Sequence, residues 1–255
     1  MDSSIPQDSS IPQDSSIPQD SSIPQDSSIP PIYIMCNPQH ESIRYQLLLK
    51  HLPARGIPME KVHWVHGPWG SEISSELYFN VYDPFRTRFG NKVGLSFKSA
   101  ALLKGEVSLN LTFLKAIRMA LEAGHEYALF FESDVILRED FLSRLKDVLG
   151  FERAYDYISL GEGCSTRPPG HAPSYFGPTG LYEPPHSYVF RCTDSMLIRR
   201  SFLEKLSHTL IPFRECLDWE LNIQMMAHRG KSLWADPPLV EAGSGRGRAL
   251  SYLPS

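Results

Sequence analysis

The run Tyr127-Ala-Leu-Phe-Phe-Glu-Ser-Asp134 decides how the chain is to be read. Tyr127 to Phe131 are five apolar or aromatic residues with no polar face, so they predict a strand buried on both sides, as in the middle of a mostly parallel sheet. Glu132 and Asp134 follow where that strand should end. Side chains alternate along extended chain, which puts the two carboxylates on one side and Ser133 on the other. Such a pair suits Mg²⁺ or Mn²⁺, which take hard oxygen ligands and fill the rest of their shell with water and substrate phosphates. A solvated turn or helix start is the other reading of the same acids.

The flanking residues place that strand in an α/β pattern. Val107, Leu111, Leu114, Ile117 and Leu121 recur at helical spacing before it, with Gly124 as a stop. After it, Phe141, Leu142, Leu145, Val148 and Leu149 mark a further helix, with Glu139 and Asp140 in its first turn. Upstream, Ile32 to Cys36 reads as a buried strand that ends at Asn37-Pro38 and leads into a helix bearing Ile43, Leu47, Leu48 and Leu52. Lys61 to Val65 is the next strand, followed by the turn Gly67-Pro-Trp-Gly70. His63 and His66 stand three apart there, a spacing that fits surface or packing roles better than ligation. Residues 71–98 are irregular and aromatic, with Tyr78, Phe79, Tyr82, Phe85 and Phe89, which favours an ordered loop with the acceptor side as one place for it.

Downstream, Tyr155 to Leu160 predicts a strand, and the Pro- and Gly-rich stretch from Ser165 to Pro185 predicts irregular, substrate-covering chain. Tyr188 to Ile198 reads as one or two strands, and Ser201-Phe-Leu-Glu204 as the capping box of a short helix. A last helix from about Leu217 to Arg229 stops at Gly230, before a strand at Ser232 to Ala235. Strands alternating with helices predict a mainly parallel sheet covered on both faces. Ligands of such sheets sit beyond the carboxyl ends of the strands, where Asn37 and the Glu132/Asp134 pair both fall. No GxGxxG follows the first strand and no GxxxxGK[ST] occurs, which disfavours a dinucleotide fold and a P-loop.

Residues 1–30 are dominated by a repeated Asp-Ser-Ser-Ile-Pro-Gln, whose one Ile per unit cannot build a core and whose prolines oppose helix and central strand. This predicts a disordered leader ahead of one domain at 31–255; a solenoid would need larger apolar faces. The formal charge of −4 is spread along the 255 residues, which argues against a nucleic-acid or polybasic membrane surface. No apolar run reaches the ~20 residues of a membrane span and the N-terminus is not a secretory signal, which leaves the cytoplasm as the default location. Cys36, Cys164, Cys192 and Cys216 form no CxxC pair, which argues against zinc and for free thiols. Asn110-Leu-Thr112 fits the N-glycosylation pattern but falls within the predicted helix, as a chance match would.

Several of these residues also carry a resemblance. The strand ending at Asn37 with Arg44 seven on, Gly105-Glu-Val107 opening a helix, and Tyr127 to Leu137 with its Glu-Ser-Asp-Val are similar to the family 25 glycosyltransferases. That group includes lipooligosaccharide and collagen galactosyltransferases, and the order of motifs runs through most of residues 32–240. The chain departs from the pattern at Ser133, where the family has an acid, and at Thr112-Phe113, where it has Ser-His. The resemblance implies a GT-A fold, a nucleotide-sugar donor and a DxD-type site for Mn²⁺ or Mg²⁺. Asp134 would hold the metal on the donor pyrophosphate, Glu132 would face the ribose or a metal-bound water, and Asn37 and Arg44 would meet the nucleotide. A surface helix position is the other reading of Arg44.

An inverting transfer also needs a base for the acceptor hydroxyl, placed opposite the leaving group. Asp218 and Glu220 are the candidates, at the start of the last helix; two apart on a helix they face different ways, and Asp218 is preferred. An N-cap is its structural alternative, and Trp219 fits sugar stacking or core packing equally. Arg246 and Arg248, in the Gly-rich tail, suit either phosphate closure or a frayed end. The acceptor would be a glycan, glycolipid or protein. A metal-dependent nucleotidyltransferase and a non-catalytic sugar- or nucleotide-binding module are the rival classes.

Overall fold

The computed structural model describes residues 29–84, 100–151, 154–161, 180–184 and 192–243. The leader repeat, Phe85, Phe89, Cys164, most of 165–185, Tyr188 and the arginines of the tail lie outside them. Nine strands are formed among the described residues: β1 Ile32–Met35, β2 Val62–Val65, β3 Tyr127–Glu132, β4 Val135–Leu137, β5 Tyr157–Ser159, β6 Leu181–Tyr182, β7 Ser195–Arg199, β8 Ser232–Ala235 and β9 Val240–Ala242. The α-helices are α1 Ser42–Ala54, α2 Ser75–Val81, α3 Lys104–Glu122, α4 Phe141–Leu149, α5 Arg200–Thr209 and α6 Leu217–Ala227.

Seven strands make one sheet in the order β2-β1-β3-β7-β5-β8-β6. β1 runs parallel to β2 and β3, and β5 parallel to β8, while β7 opposes both β3 and β5 and β6 opposes β8. All of the sheet except β6 and β7 therefore points one way, which is the mixed, mostly parallel α/β sheet that the alternation predicts.

β3 lies inside it, and its apolar run alternates between two cores. Ala128 and Phe130 belong to the cluster formed with α3, α5 and α6, through Val107, Phe113, Ile117, Phe202, Leu206 and Leu221. Leu129 and Phe131 belong to the cluster on the other face, with Leu48 and Leu52 of α1 and Phe141, Leu145 and Val148 of α4. A strand that feeds two cores has no room for a polar side chain before it leaves the sheet. Its first polar residue after Tyr127 is accordingly Glu132.

Several local expectations change. The stripe of α1 that faces the sheet is Glu41, Arg44, Leu48 and Leu52; Ile43 and Leu47 are 57% and 53% exposed. Polar residues take the inward positions of the first turn because that turn borders a cavity rather than the core. Residues 71–98 are not wholly irregular: Ser74 accepts the Leu77 N–H at 3.0 Å and caps α2. The same helix turns Tyr78 inward, where its hydroxyl donates to Leu102 O at 2.6 Å.

Ser201 caps nothing, since α5 begins one residue earlier at Arg200 and Glu204 pairs with that arginine at 3.0 Å. Leu181–Tyr182, within a stretch expected to be irregular, adds an edge strand to β8. β4 and β9, unforeseen in the sequence, pair in a small second sheet, in which Gly243 N–H donates to Asp134 O at 2.8 Å. The Gly124 stop holds, at φ +76, a conformation that costs glycine little.

Gly161 follows β5 where Asp194 enters β7. A Cβ there would stand 2.2 Å from Asp194 Oδ1. Gly161→Ala should therefore displace Asp194 and lower stability by roughly 1–3 kcal/mol, as overpacking does, read as a shift of the urea midpoint. An unchanged midpoint would show that the Asp194 carboxylate has room to move.

Candidate active site

Parallel pairing sets the strand ends flush. Met35 is in register with both Val65 and Glu132, so the chain leaves β1, β2 and β3 at one level of one sheet edge. β7 runs the other way, so its beginning, not its end, reaches that edge: Ser195 is opposite Phe131, and Glu132 N–H donates to Asp194 O at 2.9 Å. A cavity of about 370 Å³ opens beyond β1, β2 and β3. Asn37, Arg44, Glu132 and Asp134 all line it, as do Glu41 and Ser133.

The opposite wall is the turn after β2 laid on the start of α3. Thr112 Oγ1 accepts the Gly67 N–H at 3.0 Å and donates to Ser108 O, while Ser108 Oγ donates to Pro68 O at 2.7 Å. Backbones also meet there, because a Cβ on Gly70 would lie 3.0 Å from Gly105 N. Trp69 lines the cavity and stacks on His40 at 4.7 Å between ring centroids. His66 lines it too, whereas His63 stacks on Tyr33.

Ser133 is the residue whose position differs most from expectation. The strand ends at Glu132 and the chain turns before β4, so alternation no longer applies and Ser133 faces the same cavity as the two acids. Its hydroxyl donates to Glu41 Oε1 at 2.5 Å and accepts from Arg44 Nη1 at 2.7 Å. Glu41 Oε2 accepts the Asn37 N–H at 2.8 Å, and Asn37 Oδ1 accepts the Gln39 N–H at 3.0 Å, which closes the turn into α1. Side chains of Glu41 and Arg44 are each only 10% exposed, so Arg44 is not a surface helix residue. Sequence reasoning did not single out Glu41, although its i, i+3 spacing from Arg44 was a readable signal.

Glu132 is half-buried and Asp134 buried. Thr193 Oγ1 donates to Glu132 Oε1 at 2.5 Å. Removal from water, then the Asp134 carboxylate, push the Glu132 carboxyl up to about 8; Asp194 and Asp218 add to the rise and the Thr193 bond opposes it. Two carboxyls held together at a cavity wall, one of them keeping its proton up to about 8, suit a cation, which favours the form with both ionised. Among the described residues no group of three or more His, Cys, Asp or Glu could hold a metal by itself, so a cation here would complete its shell from a ligand and water.

The two candidate bases part company. Asp218 is half-buried in the first turn of α6, whose N-cap is Cys216, so Asp218 is not the cap; its Oδ1 accepts the Trp219 N–H at 2.9 Å and faces Cys216 Sγ at 3.2 Å. Its charge adds the last of the contributions that raise Glu132, but it is not among the residues that line the cavity. Glu220 is fully buried and accepts from Arg214 N at 2.9 Å, from the Arg214 guanidinium and from Gln224 Nε2 at 3.0 Å. A base so engaged is not available to a substrate, which leaves Asp218 as the candidate.

Trp219 is 5% exposed, as a packing residue is. Asn110 is 1% exposed with Nδ2 donating to Glu215 O at 2.8 Å, so the Asn-Leu-Thr sequence is closed to glycosylation in the fold. Cys36 is a buried thiol that lines the cavity, pushed up to about 12 by burial first and then by the Glu41 charge, which makes it inert. Cys192 and Cys216 are also free. No helix among the described residues is long and apolar enough to cross a membrane.

No family model and no curated protein match the chain. Solved structures similar to it include A197 from STIV (TM-score 0.42, 12% identity, 83% of each chain covered). Another is S. aureus TarS 1–349 (0.44, 14%, 84% of this chain and 61% of that one). A third is the mannosyltransferase PcManGT from Pyrobaculum calidifontis in complex with GDP-Man and Mn²⁺ (0.38, 13%, 85% and 57%). The chain thus spans less than two-thirds of the last two. Scores of this size carry neither activity nor ligand from those proteins to this one.

Two measurements probe the acids. Because the folded state holds the Glu132 proton up to about 8, while an unfolded glutamate releases it in the ordinary acidic range, the metal-free protein should lose stability as pH rises between those limits. Glu132→Gln should flatten that slope and raise the melting temperature at about pH 9; an unchanged slope would mean that Glu132 is not the group held protonated in the fold. Glu220→Ala should cost roughly 2–4 kcal/mol by leaving the Arg214 N–H and Gln224 Nε2 without their buried acceptor, against less than about 1 kcal/mol for Asp218→Asn, compared by chemical denaturation. Equal costs would mean that Glu220 is not the structural acid.

Proposed function

We propose that the chain is a GT-A-type glycosyltransferase, moving a sugar from a nucleotide-sugar donor to a glycan, glycolipid or protein acceptor with a divalent cation and inversion. What supports it most is a single juxtaposition: the Glu132/Asp134 pair, with a carboxyl driven well above its ordinary range, in one cavity with Asn37, Arg44 and the Trp69 face. The finer likeness to family 25 rests on the motifs at Asn37, Gly105 and Tyr127 to Leu137.

Asp134 and Glu132 would hold Mn²⁺ or Mg²⁺, whose chemistry when bound is to neutralise the charge that grows on the departing nucleoside diphosphate. Glu132 must give up its proton for this, so donor binding with metal should release protons at neutral pH. Asn37 and Arg44 would meet the nucleotide, and Trp69 offers a flat apolar face to its base. On the acceptor side, Asp218 would take the hydroxyl proton through Oδ2 as the new glycosidic bond forms and the sugar–phosphate bond breaks. The Trp219 N–H and Cys216 on Oδ1 fix its orientation.

The cavity argues against a nucleotidyltransferase. Arg44 is the lone lysine or arginine on its wall among the described residues, and Glu41 already offsets its charge. A triphosphate would call for more positive charge than that.

Calorimetry with UDP, GDP, CDP and the corresponding triphosphates, with and without Mn²⁺, tests the reading. One diphosphate should bind at least about tenfold tighter with metal, and Asp134→Asn should abolish that gain. Asp218→Asn should keep donor affinity and lower kcat by roughly 10²–10⁴. A triphosphate preference, or metal-independent binding with no transfer from any donor, would sink the proposal.

A further inference from the structure

The acid that the DxD-like motif lacks at Ser133 is present in space, supplied by a different element. Glu41 comes from the turn into α1, not from β3, yet its Oε1 accepts the Ser133 hydroxyl at 2.5 Å, and both residues line the cavity. A serine here is therefore not an empty position. It is the near end of a carboxylate delivered from the neighbouring strand–helix turn, made possible by the flush register of β1 and β3.

We propose that Glu41 binds the ribose hydroxyls of the donor nucleotide and so selects ribonucleotides over deoxyribonucleotides; this rests on the glycosyltransferase reading above. A carboxylate offers about four acceptor positions. Oε1 uses two, for Ser133 Oγ and Arg44 Nη1, while Oε2 accepts the Asn37 N–H and retains another lone pair. The group that fits must donate a hydrogen bond and carry no negative charge, which describes a sugar hydroxyl and excludes a phosphate.

Order along the wall favours the ribose over the transferred sugar. His40, stacked on Trp69, is the chain neighbour of Glu41, and Ser133, bonded to Glu41, is the chain neighbour of Glu132 and Asp134. Aromatic face, Glu41–Ser133 and acid pair are thus linked in that sequence by contact and by chain, the sequence in which base, ribose and diphosphate are bonded. Arg44 holds Glu41 and Ser133 in place, bonding to Glu41 at 3.4 Å and to Ser133 at 2.7 Å.

The experiment is calorimetry of the full chain with Mn²⁺ and the preferred nucleoside diphosphate, its 2′-deoxy and 3′-deoxy forms, and the same diphosphate with the other base. The unaltered protein should bind the ribonucleotide roughly 10–100-fold tighter than at least one deoxy form, as loss of a hydrogen bond to a charged group implies. Glu41→Gln should shrink that ratio several-fold, and the exchange Glu41→Ser with Ser133→Asp should restore part of it. Using the diphosphate without its sugar removes the transferred hexose as a source of the effect. Equal binding of ribo and deoxy forms by the unaltered protein, where no variant need fold, overturns this proposal and leaves the glycosyltransferase standing. So does a Glu41→Gln loss that is the same for ribo and deoxy forms, which marks a purely structural tie, or one that tracks the base. No diphosphate binding at all overturns both.

Discussion

The register of β1 against β3 is the constraint on which the candidate site depends. Met35 opposite Glu132 and opposite Val65 brings three strand ends to one level, and each strand contributes the residues just beyond its end: Asn37 and Glu41, the Gly67–Gly70 turn, and Glu132 to Asp134. A parallel sheet delivers its carboxyl ends to one edge by construction, and a slip of one residue would turn Glu132 into the other face. Two apolar cores prevent that slip, since Phe130 and Phe131 are claimed by opposite sides of the sheet.

Electrostatics then separates two kinds of acid at that edge. Glu41 is offset by Arg44 and bonded to Ser133, a satisfied pair nearly out of solvent. Glu132 is taken from water beside Asp134 and accepts the Thr193 hydroxyl, and burial first, then the Asp134 charge, raise its carboxyl. The first arrangement is stable as it stands; the second is relieved by a cation. The two acid arrangements therefore answer differently to a cation, although both line the same cavity.

Glu220 shows the opposite outcome for a residue chosen on the same grounds as Asp218. Both are acids in the first turn of α6, where the helix dipole favours them, and nothing in their local sequence separates them. Helical geometry does: one rotation of about 200° turns Glu220 inward to the Arg214 turn and leaves Asp218 half-buried.

The sequence by itself determined the alternation of strands and helices, the double-sided burial of Tyr127 to Phe131 and the place of Asn37, Glu132 and Asp134 at strand ends, because periodicity and strand polarity are local properties. It did not show that Ile43 and Leu47 face outward, that Ser133 turns into the cavity, or that Thr193 and Asp194 bond to Glu132. Those depend on where a helix sits on its sheet, where a strand stops, and which way β7 runs. Each is a choice among packings that the same apolar pattern allows, made only when distant elements meet. Glu41 is the clearest case: 92 residues from Ser133 in the chain, it completes that site solely because two strands lie side by side.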